Sequence, residues 1–162
     1  MALSNFERMI QLAENVFASK SNPDQLDVNE DVIKQLKRIH PATVSEHNDG
    51  NGPVVWILVI PTTSEVMNKF IDGHISEGEL LKQTPLDAPY NALYLCSAMV
   101  LDEYRGKGLA KKLTCQAIES IRKQHNIKTL FVWPFSKEGD ALAQNIAQTT
   151  TLPLLKRKPR AV

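Results

Sequence analysis

The run with the most chemical promise is Leu101-Asp102-Glu103-Tyr104-Arg105-Gly106-Lys107-Gly108-Leu109-Ala110. An apolar stretch, Ala92 to Leu101, leads into it, and an amphipathic stretch over residues 108–123 leads out. Where a strand passes through glycines into a helix, the first helical N–H groups lack acceptors and converge on one point. The helix dipole adds about 0.3–1 kcal/mol of attraction for negative charge there. Gly106 and Gly108 permit a tight turn and a close approach that a Cβ would crowd, and Ala110 keeps that approach low. Pyrophosphate suits such a cradle, with Lys107, Lys111 and Lys112 adding positive potential. Two glycines also make an ordinary strand-to-helix turn, and a short glycine motif alone does not separate the two readings. A nucleotide P-loop needs Gly-Lys-Ser/Thr after a longer glycine loop, whereas Gly108 leads into Leu109. A dinucleotide fold places its fingerprint after an early strand, and here the glycines lie beyond the midpoint.

Other reactive side chains are scattered. Cys96 and Cys115 are too few and too far apart for a disulfide scaffold or a paired-cysteine zinc motif, so a reducing cytoplasmic location is expected. Cys115 falls mid-helix without the neighbours that mark a nucleophile, and Cys96 reads as a small packing residue. His40, His47, His74 and His125 have no metal spacing and read as surface or capping residues, so no metal is expected. Trp56 and Trp133 sit in apolar runs and read as core, with Trp133 able to flank a cleft.

These residues need a scaffold, and the hydrophobic pattern supplies one. Phe6, Ile10, Ala13, Val16 and Phe17 predict a helix over residues 3–19 that stops at Ser21 to Asp24. Val32, Ile33, Leu36 and Ile39 predict a second, ending before Pro41. A short strand is expected at residues 42–47, then a reversal at Asp49-Gly50-Asn51-Gly52 and a buried strand at Val54 to Ile60 bracketed by Pro53 and Pro61. Ser64 to Gln83 predicts two short helices or one bent helix, interrupted at Gly73 and Gly78. Strands follow at Ala92 to Leu101 and at Thr129 to Trp133, separated by the helix of residues 108–123. A helix at Lys137 to Gln148 and a short edge strand at Leu152 to Lys158 complete a mixed α/β pattern, without repeats or an internal linker.

Composition sets the outer limits. A chain of 162 residues is long enough for one substantial core, and 43% hydrophobic with 23% charged residues is ordinary globular composition. The formal charge of +1 gives no field that would gather nucleic acid or an anionic membrane. Val54 to Ile60 is far short of the roughly 20 apolar residues of a membrane span, and MALSNFERMI lacks the order of a secretion signal. Lys156, Arg157, Lys158 and Arg160 read as a solvated basic end, and no interleaved aromatics mark a nucleic-acid platform.

With Arg105, Gly108 and Ala110 the chain meets the pattern Gln/Arg, two free positions, Gly, one free position, Gly/Ala, preceded by the Tyr-Arg-Gly lead-in of Tyr104 to Gly106. In this it resembles the GNAT superfamily of acyl-coenzyme-A-dependent N-acyltransferases, most specifically over residues 92–135. The resemblance implies a single domain over residues 1–162 with a three-layer α/β/α fold. Its sheet would be mixed, mainly antiparallel and twisted, splayed at the central strands, with a shortened C-terminal part. It implies that backbone N–H groups of Gly106, Lys107, Gly108, Leu109 and Ala110 hold the coenzyme A pyrophosphate, with Arg105 assisting or bracing the loop. It also implies that main-chain groups of Met99, Val100 and Leu101 bond the pantetheine arm, with Asn145 as a further coenzyme contact. The donor would be acetyl-CoA or another short-chain acyl-CoA.

The implied function is direct N-acyl transfer to an unidentified primary amine; the alternative is a coenzyme-binding regulatory domain without turnover. Amine attack on a thioester needs a proton acceptor, an oxyanion donor and a proton for the leaving thiolate. A backbone N–H near Val100 suits the oxyanion. The catalytic acid and base stay unassigned: Asn91 to Leu101 holds no carboxylate, and no tyrosine follows Tyr104. Glu77, Glu79, Asp87 and Glu103 read as surface carboxylates unless the fold brings them to the cleft. Strand alternation sends Cys96 and Ser97 to opposite faces, so one of them at most would face the thioester, Ser97 as a proton relay. After Thr149-Thr150-Thr151 only LPLLKRKPRAV follows, where many relatives add a Gly-Phe segment and two long strands. The sheet is thus expected to be short or to be completed by a partner copy in a homodimer.

Overall fold

A computed structural model describes residues 3–18, 24–26 and 28–157. Helices α1 (Asn5–Ala18) and α2 (Glu30–Ile39) come first, and α2 is capped by the Asn29 side chain, which accepts the Val32 N–H at 2.9 Å. A 3-10 turn at Pro41–Thr43 delays β1 to Val44–Asn48, two residues later than the pattern predicts, because His40 Nδ1 accepts the Ala42 N–H and stabilises the turn. Gly50 and Gly52, both at positive φ, reverse the chain into β2 (Pro53–Thr62).

Both bracketing prolines lie inside β2. The Thr62 carbonyl accepts from Asn91 on the β3 side, so alternation turns the Pro61 nitrogen to the other edge, where β1 pairing has already ended at Leu58. Two short helices follow, α3 (Ser64–Ile71) and α4 (Glu77–Gln83), the latter closed by a reciprocal Ser76–Glu79 capping box. The remaining elements are β3 (Ala92–Val100), α5 (Leu109–Arg122), β4 (Thr129–Val132), α6 (Lys137–Thr150) and β5 (Leu154–Lys156).

The strands form one sheet in the order β1-β2-β3-β4-β5, antiparallel through β3 and parallel from β3 to β5. Tyr94 and Phe131 are register partners on one face and meet Phe70 of α3 at 4.9 and 5.9 Å between ring centroids. On the same face by alternation, Trp56 meets Phe6 of α1. α5 buries Thr114, Ala117, Ile118 and Ile121 and packs over β1, β2 and β3, with α6 beside it. Helices thus flank a mixed, splayed sheet in three layers, the architecture of the GNAT fold. No helix among the described residues is long and apolar enough to cross a membrane.

Two charged side chains lie inside the aromatic layer, against the expectation for both. Arg157, read from sequence as part of a solvated end, is buried between the Phe70 and Trp133 rings, 4.5 and 4.3 Å from their centroids. It donates to Asp24 Oδ2 at 3.0 Å and to the Phe70 and Ile75 carbonyls at 3.0 and 2.8 Å. Lys158 and Arg160 lie outside the described residues. Glu77, read as a surface carboxylate, is 5% exposed. It accepts from Leu26 N–H at 2.7 Å and Tyr94 O–H at 2.6 Å, with Cys96 Sγ at 3.8 Å. His40, read as a surface or capping residue, is buried and caps the 3-10 turn through Nδ1.

Removing one partner of a buried, hydrogen-bonded pair leaves the other charge uncompensated, so Arg157→Ala should cost about 3–5 kcal/mol in urea unfolding. A loss below about 1 kcal/mol, the level of a surface pair, would contradict the buried placement. Burial pushes the Glu77 carboxyl above its ordinary value of 4.5, only partly offset by Tyr94, Leu26 and Cys96. The folded state therefore binds the extra proton, and Glu77 favours folding most below its unfolded value, losing that contribution as pH rises through the folded one. The melting temperature of the parent relative to Glu77→Gln should fall as pH is raised from about 4.5 to 7; a constant difference would show that Glu77 does not titrate there.

Candidate functional site

The site begins where strand pairing stops. β3 is bonded to β2 along its full length, but β4 accompanies it only from Ala92↔Thr129 to Leu95↔Val132. Beyond Leu95 the two strands part. A bulge at the same place shifts the β2–β3 register between Leu58↔Ser97 and Val59↔Leu95, leaving Cys96 without a partner residue. Bulges bend the strand that carries the extra residue, and here the bend coincides with the parting.

Leu101 N–H donates to the Val54 carbonyl at 3.0 Å, so it faces β2. Alternation puts Met99 main-chain groups on that same edge and those of Ala98 and Val100 on the opposite one, toward the gap left by β4. Of the three strand positions the sequence singles out, Val100 presents its backbone to the gap. Met99 and Leu101 are buried. Ala98, one dipeptide earlier, was not singled out, because only the register assigns it to that edge.

A cavity of about 780 Å³ opens along this edge. Leu58, Val59, Leu95, Cys96, Ser97, Ala98 and Val100 form its inner wall, Val132 to Ser136 the opposite one, and Leu142, Ala143 and Ile146 of α6 close one side. Cys96 and Ser97 both line it, which overturns the expectation from alternation: the bulge interrupts the two-residue period at this point. Trp133 flanks the cavity as the sequence suggests, and its ring stacks 4.6 Å from the exposed ring of Phe135.

The far end of the cavity is the glycine loop. Arg105, Gly106, Gly108, Leu109 and Ala110 all line it. Gly106 at φ 77° and Gly108 at φ 73° occupy the left-handed region, and a Cβ at either would meet open space, so backbone conformation alone selects glycine. Gly108 is the N-cap of α5 and contributes no side-chain cap. The first intrahelical bond runs from Lys112 N–H to the Gly108 carbonyl, so the N–H groups of Leu109, Ala110 and Lys111 have no intrahelical acceptor and point out of the helix start. Lys111 and Thr114 extend the lining by a turn, Thr114 keeping its hydroxyl on the Ala110 carbonyl at 2.7 Å.

Lys107 and Asn145 stand away from this lining. Lys107 is exposed, with Nζ 5.2 Å from the centre of the Tyr104 ring, and Asn145 lies on the exposed side of α6, one residue before the inward Ile146. The lining residues not anticipated include the apolar Val59, Leu142, Ala143 and Phe135 and the polar Ser136 and Glu138 at the start of α6; none carries a local signature, and only the packing of α6 over the parted strands brings them together.

Two side-chain ties hold the loop. Arg8 of α1 donates to both Glu103 oxygens at 2.7 and 2.8 Å, and the Tyr104 hydroxyl donates to Asp49 in the β1–β2 turn. Arg8 accordingly holds the Glu103 carboxyl below its usual range, while Asp49 pushes the Tyr104 phenol up. Glu103 is thus engaged away from the cavity. Glu79 is spent on the α4 capping box, and Asp87 is exposed on the segment before β3. Glu77 sits behind the wall, and Cys96 is the cavity-lining residue it touches, its thiol pushed well up by burial and then by Glu77. Arg105 makes a solvent-exposed contact with Asp102 at 3.6 Å.

The geometry offers an elongated channel with an apolar middle, free strand amides along one wall and converging helix amides at one end. Such a channel suits a long ligand with an anionic head. No protein-family model and no curated protein matches the chain; the sheet topology and its flanking helices match the architecture of the GNAT fold, and it is on this architecture that the likeness rests.

Proposed function

We propose that the protein is an acyl-CoA-dependent N-acyltransferase that moves an acetyl or other short acyl group directly to a primary amine. The observation that carries this reading is the continuous wall from the unpaired Ala98–Val100 edge of β3 to the uncapped amides at Gly108–Lys111, all opening on one cavity. An acyl-coenzyme A is long, anionic at the pyrophosphate and amide-bearing along the pantetheine, in the same order as these surfaces. The bound donor would supply an acyl group activated as a thioester.

The chain's own contribution is then mostly main chain. The amides of Leu109, Ala110 and Lys111 hold the pyrophosphate without needing a particular side chain. Ala98 and Val100 extend the sheet onto the pantetheine, as an added strand would. In this reading the Val100 N–H freed at the parting would serve as the oxyanion donor, and such a donor is worth about 2.7–4 kcal/mol to the transition state. The apolar wall of Leu95, Val132 and Trp133 excludes water from the thioester. Both cysteines are free thiols, in keeping with action in the cytoplasm.

A second reading, coenzyme binding without turnover, is favoured by the placement of the acid–base groups. Tyr104 gives its hydroxyl to Asp49 and Glu77 is walled off behind Cys96. Incubation with acetyl-CoA and a panel of primary amines, followed through released thiol, separates the two. Transfer supports the enzyme, and saturable coenzyme binding with no amine-dependent release supports the binding domain.

Gly108→Glu puts a carboxylate at the anion cradle and a side chain at φ 73°. Coenzyme A affinity measured by calorimetry should fall by about 100-fold or more, through like-charge repulsion together with strain of about 1–2 kcal/mol. A folded variant that binds as tightly as the parent would remove the phosphate cradle from the reading.

A further inference from the structure

We propose that Glu77 is a positioning residue for the acyl-donor cleft: one buried carboxylate on α4 clamps Tyr94 and Cys96, the residues on either side of Leu95, and so holds β3 in the bulge that turns it away from β4. This rests on the reading of the cavity as the acyl-CoA site.

A regular strand alternates its side chains, so Cys96 and Ser97 would face opposite sides of the sheet. Both line the cavity here, Cys96 being an extra residue against β2. An extra residue is left unpaired and the ladder is locally disrupted, so a side-chain contact can supply a hold that the ladder does not. Glu77 Oε2 is that hold: Tyr94 O–H donates to it at 2.6 Å and Cys96 Sγ lies at 3.8 Å. Its other oxygen takes the Leu26 N–H, and its own N–H donates to the Asp24 carbonyl at 2.8 Å, which fixes the carboxylate in turn. α4 delivers the group at its first residue, where the Ser76–Glu79 capping box sets the helix start. The two donors bracket Leu95, the last β3 residue paired to β4. A carboxylate buried in an aromatic layer at thermodynamic cost, and bonded on both sides of the place where the sheet opens, is explained by that opening.

The test uses the full chain in a Cys115→Ser background, so that iodoacetamide reports on Cys96 alone, with coenzyme A affinity read by calorimetry. Tyr94→Phe keeps the ring packing and leaves Glu77 in place but deletes one strut. With near-ultraviolet dichroism unchanged, Cys96 labelling should accelerate and coenzyme A affinity should fall, each by about fivefold, the equivalent of one hydrogen bond. Glu77→Gln retains an oxygen for Tyr94 and Cys96 but gives up the Leu26 bond. It should melt earlier yet bind coenzyme A within about twofold of the parent, a separation that a purely structural role would not produce. Glu77→Leu removes the clamp and should fall below Tyr94→Phe in affinity; if it does not fold, Tyr94→Phe decides. Folded Tyr94→Phe with parental labelling and affinity overturns the clamp. A parent that does not bind coenzyme A overturns the functional reading instead, and the labelling rates still decide the clamp.

Discussion

Every backbone amide in a sheet needs a partner, and the organisation of this protein follows from one strand that loses half of its partners midway. β3 is bonded on both edges as far as Leu95 and on one edge after it. The amides released there face a cavity instead of another strand, and the chain that continues beyond them reaches a second group of unpartnered amides at the start of α5. Leaving such groups without protein acceptors costs stability unless water or a ligand meets them. Two separate stretches of uncommitted backbone sharing one channel are therefore the strongest physical indication that the channel is meant to be filled.

The two ends of that channel are held by different physics. At the inner end, Glu77, Tyr94 and Cys96 are enclosed with Arg157, Phe70 and Phe131, where electrostatic interactions are strong and poorly screened. At the outer end, the glycine loop is tied by Arg8–Glu103 and Tyr104–Asp49 at the surface, where solvent and salt weaken each contact. The parting is thus tied within the buried layer, while the glycine loop is tied only at the surface.

The sequence was readable wherever a local rule governed. Every main helix and strand was visible from hydrophobic period, proline and glycine, and the Arg105–Ala110 motif located the loop that lines the cavity. What escaped was decided by long-range contact. Alternation along β3 placed Cys96 and Ser97 on opposite faces, but the bulge arises from register against β2, which no window of β3 alone contains. Glu77 and Arg157 look like surface residues because charge is the only local cue; their partners lie on other elements. The apolar lining from α6 was illegible for the same reason.

Arg157 carries a consequence for how the chain reaches this state. Its bonds to Asp24 and to the Phe70 carbonyl span 133 and 87 residues, and its ring contacts belong to α3 and to the segment after β4. Contacts so distant in sequence form only after large loops have closed, and topologies dominated by them mature slowly. The aromatic layer therefore stays open until β5 and Arg157 have docked, and until then the half-built sheet exposes apolar surface that a chaperone would recognise.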